Sequence, residues 1–249
     1  MDLGLGSSHV LVTGGSRGIG AAIARVFLDE GATVTICARS TDALERTRAV
    51  LGPDRVRAVV ADVGDPGDVR RLTRDAVADA GRLDVVVANA TANAAGASEQ
   101  EYAASFDVDL MQSVRLASAI REAQPDAPFS MICLGSIDAM TGTTPHHAYS
   151  VMKAALLAWV KNAAVAFGRD GVRVNAVCPG AIFFEDGWWD TVRTRDPEGF
   201  RAHVERIPGG RMGTPEEVAA VVAFLACPRA SWVNGATVLV DGGEHGAAG

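Results

Sequence analysis

Tyr149-Ser150-Val151-Met152-Lys153 sets a phenol and an ammonium group four residues apart at the start of a helical run, so both fall on one helix face. A tyrosine with its ordinary pKa of about 10 is a poor proton donor or acceptor near neutrality, and a neighbouring ammonium favours its phenolate. Ser136 stands 13 residues earlier, just past the apolar run 130–134, where its hydroxyl can hold a substrate oxygen. This trio suits proton transfer at an oxygen, with donors aimed where negative charge develops. The Tyr-x-x-x-Lys spacing occurs in many ordinary helices, so its meaning depends on what surrounds it.

A second cluster supplies that context. Thr13-Gly14-Gly15-Ser16-Arg17-Gly18-Ile19-Gly20 follows an apolar run at 9–12 and enters a helical pattern. Glycines there allow close backbone approach, and the helix N-terminus offers free N–H groups to a pyrophosphate. The cofactor contacts expected from this turn are Gly14, Ser16, Arg17, Gly18, Ile19 and Gly20. The next strand-like run ends at Cys37-Ala38-Arg39-Ser40, where an acid would grip the ribose hydroxyls of NAD. Arg39 stands there instead, and Arg17 can approach the same point, so a 2′-phosphate and hence NADP(H) is expected.

The elements that must carry these groups alternate along the chain. Strand-like runs at 9–12, 33–37, 56–60, 83–88, 130–134, 172–177 and 237–240 are separated by helical patterns near 18–30, 42–51, 67–80, 99–123, 148–168 and 215–226. Gly31 stands where the first helix should end, and Asp68 and Pro215 stand where later helices should open. Seven mostly apolar strands with intervening helices imply an α/β fold: a parallel sheet covered on both faces, in one domain spanning 1–249. The stretch 181–213 breaks the rhythm. It holds Phe183, Phe184, Trp188, Trp189 and Phe200 among only 14 aromatic residues, which points to a substrate lid, with a small satellite core or a subunit contact as the alternatives. His146 and His147 both precede Tyr149 and could reach the substrate cleft; the expected substrate contacts are Phe184, Trp188, Trp189 and His147, although a histidine in such a turn is more often solvated or capping.

Composition narrows the classes further. With 23 basic and 30 acidic residues among 249, the net charge of −7 argues against nucleic-acid binding. No apolar run reaches the roughly 18 residues of a membrane span, and the N-terminus lacks the pattern of a signal peptide, so a cytoplasmic location is expected. The four cysteines, Cys37, Cys133, Cys178 and Cys227, are far apart and read as reduced thiols, and no metal site is expected.

Taken together, the chain resembles the classical short-chain dehydrogenase/reductase family over essentially its whole length. The resemblance rests on TGGSRGIG (13–20), Asp62-Val63, Asn89-Ala90, Ser136, YSVMK (149–153), Asn175, Cys178-Pro179-Gly180, RMGTPEEVA (211–219), Asn234-Gly235 and VDGG (240–243). It implies a Rossmann-type doubly wound sheet of order 3-2-1-4-5-6-7 and a homotetramer or homodimer. It also implies Tyr149 as proton donor or acceptor, Ser136 as holder of the reacting carbonyl, and Lys153 as the group that lowers the tyrosine pKa and binds the nicotinamide ribose. Asp62 and Val63 are implied at the adenine, Asn89 and Ala90 along the cofactor, and Pro179, Gly180 and Ile182 beside the nicotinamide. Three departures stand out. Ala88-Asn89-Ala90-Thr91 replaces the usual Asn-Asn-Ala-Gly, and Thr91 restricts backbone that glycine leaves free. Asp109 replaces a helix asparagine that helps feed protons toward the lysine, and it is expected to keep the relay working with an altered pH profile. Phe184 replaces a threonine beside the nicotinamide amide.

The expected activity is hydride transfer between NADP(H) and the carbonyl or secondary alcohol of an apolar, 3-oxoacyl or polyketide-like substrate, free or carrier-bound. The 3-oxoacyl-carrier-protein reductase branch is the one that RMGTPEEVA and VDGG resemble. Epimerase or dehydratase chemistry on the same platform, and a non-catalytic NADPH-binding regulator, are the alternatives.

Overall fold

The computed structural model describes residues 2–94, 96–141 and 146–247. Its elements run β1 (His9–Thr13), α1 (Gly18–Asp29), β2 (Thr33–Ala38), α2 (Thr41–Leu51), β3 (Val56–Val60), α3 (Pro66–Ala80), β4 (Val85–Ala88), α4 (Glu99–Ser105), α5 (Gln112–Ala123), β5 (Ser130–Leu134), α6 (His147–Phe167), β6 (Arg173–Pro179), α7 (Trp188–Arg195), α8 (Pro197–Arg206), α9 (Pro215–Ala226), β7 (Thr237–Val240) and α10 (Glu244–Ala247). All strand pairs are parallel, and the sheet order is β3-β2-β1-β4-β5-β6-β7. The order reverses between β1 and β4, so a crevice opens at their carboxyl ends.

Strand alternation divides the core between the two faces. On β1, Val10 and Val12 join a cluster with Ile23 and Phe27 of α1 and Val218 and Val222 of α9. Leu11 points to the other face, with Leu72 of α3, Leu116 and Ile120 of α5 and Leu156 and Val160 of α6. Helices cover both faces because both carry apolar rows. By length and composition α6, continued to Asp170, could cross a bilayer, but Lys153 and Lys161 interrupt it and its Leu156, Val160, Ala163 and Ala164 are buried in the core. All four cysteines are buried and free.

Several local expectations need adjustment. The helix 99–123 is not uniform: Phe106–Met111 is wound as a π-helical turn between α4 and α5, and the wider turn carries Asp109 into the interior. Asp65, not Asp68, caps α3 by accepting from Asp68 N at 2.8 Å, while Asp68 Oδ2 accepts from Asp62 N at 2.8 Å and holds the loop after β3. Gly31 terminates α1 as expected: it takes a φ of 92°, and bonds from Gly31 N to Leu28 O and from Ala32 N to Phe27 O close the last turn. The stretch 181–213 contains α7 and α8, and Phe183, Trp189 and Phe200 pack with Ala181, Ile207 and Met212 into a small separate core. Much of its aromatic content therefore packs within the insert itself.

Replacing Asp65 by alanine removes the α3 cap and should lower unfolding stability by about 1 kcal/mol in urea titration. An unchanged midpoint would show that this bond contributes nothing measurable.

Candidate active site

The Lys153 ammonium is the centre of the site. It is buried, 3 % exposed at the side chain, and donates to Leu134 O at the end of β5 at 2.7 Å. Its Nζ lies 5.4 Å from the centre of the Tyr149 ring and 3.4 Å from Asp109 Oδ1, whose side chain is fully buried. Asp109 Oδ2 accepts from Ser105 Oγ at 2.9 Å, and Oδ1 has no hydrogen-bond partner, so the ammonium is its only close counter-charge among the described residues. An isolated buried charge is costly, and this pair compensates both members. Asp109 thus sits behind the lysine with no face on the cleft.

Ser136 Oγ accepts from Asp138 N at 3.1 Å, which leaves its hydroxyl proton free, and the Tyr149 phenol shares its cleft. Ser136, Tyr149 and Lys153 all line one cleft. The phenol does not behave as the spacing implied. Burial pushes its pKa well above 10, the Asp109 carboxylate pushes it further, and the Ser136 hydroxyl only partly opposes them. The Lys153 ammonium is paired with Asp109, and burial and that carboxylate both favour the protonated phenol.

The cofactor end is a backbone cradle. A Cβ on Gly20 would lie 2.2 Å from Gly14 O, and one on Gly14, at φ +64°, would lie 2.9 Å from Ala90 Cα. Only glycine fits either position. α1 has no side-chain cap and no acid in its first turn, whereas α2, α3 and α9 are capped by Ser40, Asp65 and Thr214. Its opening N–H groups therefore face the crevice unclaimed, the arrangement a pyrophosphate requires. Gly14, Ser16, Arg17, Ile19, Gly20, Asn89 and Ala90 line this end. Gly18 does not: the Phe184 ring covers it, so closely that a Cβ there would meet Cζ at 2.6 Å.

Two residues absent from the expected site hold this end together. Thr13 Oγ1 donates to Gln112 Oε1 at 3.0 Å and accepts from Asn89 N and Ala90 N at 2.9 and 3.1 Å. Gln112 Nε2 reaches Ala90 O and Val108 O. Asn89 Nδ2 donates to Thr13 O at 2.8 Å. Their signal was Thr13 inside the glycine motif; Gln112 lay far away in sequence with none. Thr91 lines the cleft without strain, because the left-handed residue of this loop is Asn93, at φ 53°.

Farther along, Arg39, Asp62 and Val63 line the cleft. Arg39 is exposed, with no side-chain partner among the described residues. Arg17 is less free than expected, since its Nη1 donates to Asp186 O in the insert at 2.9 Å. Arg46, in the second turn of α2, joins Arg39 at this end and escaped the sequence reading. The Asp62 carboxylate is partly occupied by Gly64 N at 2.9 Å.

At the other end, Pro179, Gly180, Ile182, Phe184, Trp188 and Trp189 line the cleft. His147 does not, being exposed at the first position of α6. One helical position earlier, His146 faces the cleft instead, with its ring 6.3 Å from Tyr149 and 5.2 Å from Trp188. Asp138, His203, Arg206 and Glu244 also line this end, and none stood out in the sequence.

Comparison with known proteins agrees with this geometry. A family model described as enoyl-(acyl carrier protein) reductase matches residues 14–245. The chain is 34 % identical to isoepoxydon dehydrogenase of Penicillium expansum, over 98 % of this chain and 97 % of that protein. It is 31 % identical to 3-oxoacyl-[acyl-carrier-protein] reductase of Vibrio cholerae, over 94 % and 96 %. Among solved structures, L-sorbose reductase from Gluconobacter frateurii, complexed with NADPH and L-sorbose, superposes with a TM-score of 0.90 at 29 % identity, covering 98 % of this chain and 99 % of that one.

Asp109→Asn should remove one of the charges that raise the phenol pKa, so the Tyr149 titration, read by ultraviolet difference spectroscopy, should move to lower pH. An unmoved titration would mean that Asp109 does not carry the negative charge assigned to it.

Proposed function

The chain belongs to the short-chain dehydrogenase/reductase family, oxidoreductases that act on alcohols and ketones with a nicotinamide cofactor, and from that premise we propose that it is an NADP(H)-dependent ketone reductase and alcohol dehydrogenase. One observation carries the reading: a buried lysine, held between Asp109 and the last carbonyl of β5, lies beside a phenol that shares with Ser136 the cleft that contains the glycine cradle.

In this reading the Gly14–Gly20 backbone and the head of α1 hold the pyrophosphate, Asp62 and Val63 border the adenine, and Arg39 grips a 2′-phosphate, assisted by Arg17. Asn89, Ala90, Pro179, Gly180 and Ile182 flank the nicotinamide, which when bound supplies or accepts the hydride. Ser136 and Tyr149 donate to the substrate oxygen, where the reacting carbonyl gains negative charge. In reduction Tyr149 gives its proton to that oxygen, and in oxidation it takes one back. Lys153 orients the phenol and the nicotinamide ribose, and Asp109 keeps the lysine charged and in place. The 181–213 insert acts as the lid, with Phe184, Trp188 and Trp189 excluding water from a ketone or acyl group. Exposed Val151 and Val165 on α6 support assembly as a homodimer or homotetramer.

Purified protein screened against small ketones and acyl thioesters should consume NADPH in preference to NADH. Tyr149→Phe should lower kcat by roughly 10²–10⁴-fold, the usual share of a general acid. Arg39→Glu should lower kcat/KM for NADPH by at least about tenfold through repulsion of the phosphate, and spare NADH. A wild-type preference for NADH would overturn the cofactor assignment, and an active Tyr149→Phe would overturn the catalytic one.

A further inference from the structure

Beyond Ser136 and Tyr149 the cleft is not uniformly apolar. Asp138 from the turn after β5, His146 at the head of α6, His203 on α8 and Glu244 at the start of α10 all reach it. These segments lie as far as 106 residues apart in sequence, and each delivers an ionisable group to the same end.

The group is organised from its base. Glu244 Oε2 accepts from Ala181 N at 2.7 Å, and a Cβ on Gly180 would meet the same oxygen at 2.5 Å, so the carboxylate lies across the Pro179–Gly180 floor. Glu244 Oε1 is 3.0 Å from His203 Nε2. The His203 ring stacks on Trp189, 4.2 Å between centres at 33°, and its Nδ1 is 3.3 Å from Arg206 Nη2. Arginine only donates, so Nδ1 accepts and the ring proton resides on Nε2. That N–H is buried, yet it is not aligned on Glu244 and makes no hydrogen bond. Asp138 is half-buried, and its carboxylate meets no donor among the described residues. Asp138 lines the same cleft, where the contacts of His146 with Trp188, of Trp189 with His203 and of His203 with Glu244 join the other three groups, and burial raises the Asp138 pKa.

A buried donor that no acceptor aligns with and a carboxylate that no protein donor meets both gain from a suitably placed oxygen in the cleft. We propose that His203 Nε2–H and the Asp138 carboxyl group form a second polar subsite, which binds a hydroxyl or oxo group that the substrate carries in addition to its reacting carbonyl. A substrate hydroxyl would accept from His203 and donate to Asp138, while Trp188 and Trp189 cover the carbon skeleton. The preferred substrates are then small polyoxygenated ketones and the corresponding diols, and bare acyl chains are disfavoured. The inference rests on the alcohol/ketone reading of the cleft given above and deepens it.

The test compares 2- and 3-hydroxycyclohexanone with cyclohexanone. The wild type should favour at least one hydroxyketone by about tenfold in kcat/KM, the scale at which a site built for a hydroxyl rejects the analogue lacking it being larger still. His203→Phe, which keeps an aromatic ring against Trp189, and Asp138→Leu should each bring the ratio close to one. His203→Gln, which keeps an N–H, should restore part of it. A second readout needs no turnover: quenching of tryptophan fluorescence in the presence of NADP+ by cyclohexanediols against cyclohexanol. Equal treatment of both ligand types by the wild type, in rate or in binding, overturns the subsite. A ratio that survives both His203→Phe and Asp138→Leu also overturns it. Preferential diol binding that is lost in His203→Phe, with no ketone turned over, supports the subsite and overturns the oxidoreductase proposal instead.

Discussion

The rest of the site depends on the charge pair between Lys153 and Asp109. Both side chains are withdrawn from water, and each offsets the desolvation cost of the other. The lysine links the main parts of the site: the end of β5 through Leu134 O, the face of α6 that carries Tyr149, and the π-helical turn that carries Asp109. Losing one partner would leave a bare charge in the interior, at a cost of about 3–5 kcal/mol. The same carboxylate bears on the phenol: burial raises the Tyr149 pKa most, and Asp109 raises it further.

What was legible in the sequence was what lies close together in it. The glycine turn, the Tyr149–Lys153 face and Ser136 occupy short stretches whose spacing fixes their geometry once a strand or helix is assigned. The alternating runs likewise imply a covered parallel sheet, and the observed strand order is the one the family resemblance implied. His147 failed for a reason of phase: it is the first residue of α6 and turns outward, while His146, just before the helix, turns in. One residue of uncertainty at a helix boundary is enough to exchange the two.

Other features depend on tertiary approach and left no local trace. Gln112 reaches the ends of β1 and β4 only because α5 packs across them, and no periodicity distinguishes it from a surface glutamine. His203 and Glu244 meet across 41 residues of chain. The depth of Asp109 follows from a π-helical turn, whose extra residue per turn a 3.6-residue period does not anticipate. The aromatic cluster at 181–213 was visible, but composition could not divide its work: Phe183 and Phe200 build the satellite core, Phe184 covers the glycine turn, and Trp188 faces His146.

The 181–213 insert is closed at its neck. A bridge between Ile182 and Gly213, with bonds from Phe183 N to Gly213 O and from Gly213 N to Ala181 O, both 2.9 Å, draws its two ends side by side. What lies beyond the neck has its own small core and meets the rest of the domain through Phe184 over Gly18, Asp186 O with Arg17, His203 beside Glu244 and Gly209 N with Gly242 O. Doubling the length of such an excursion adds only about 0.6 kcal/mol of closure entropy. A change in the length of this cassette therefore costs the scaffold little closure entropy, and Ser136, Tyr149 and Lys153 all lie outside it.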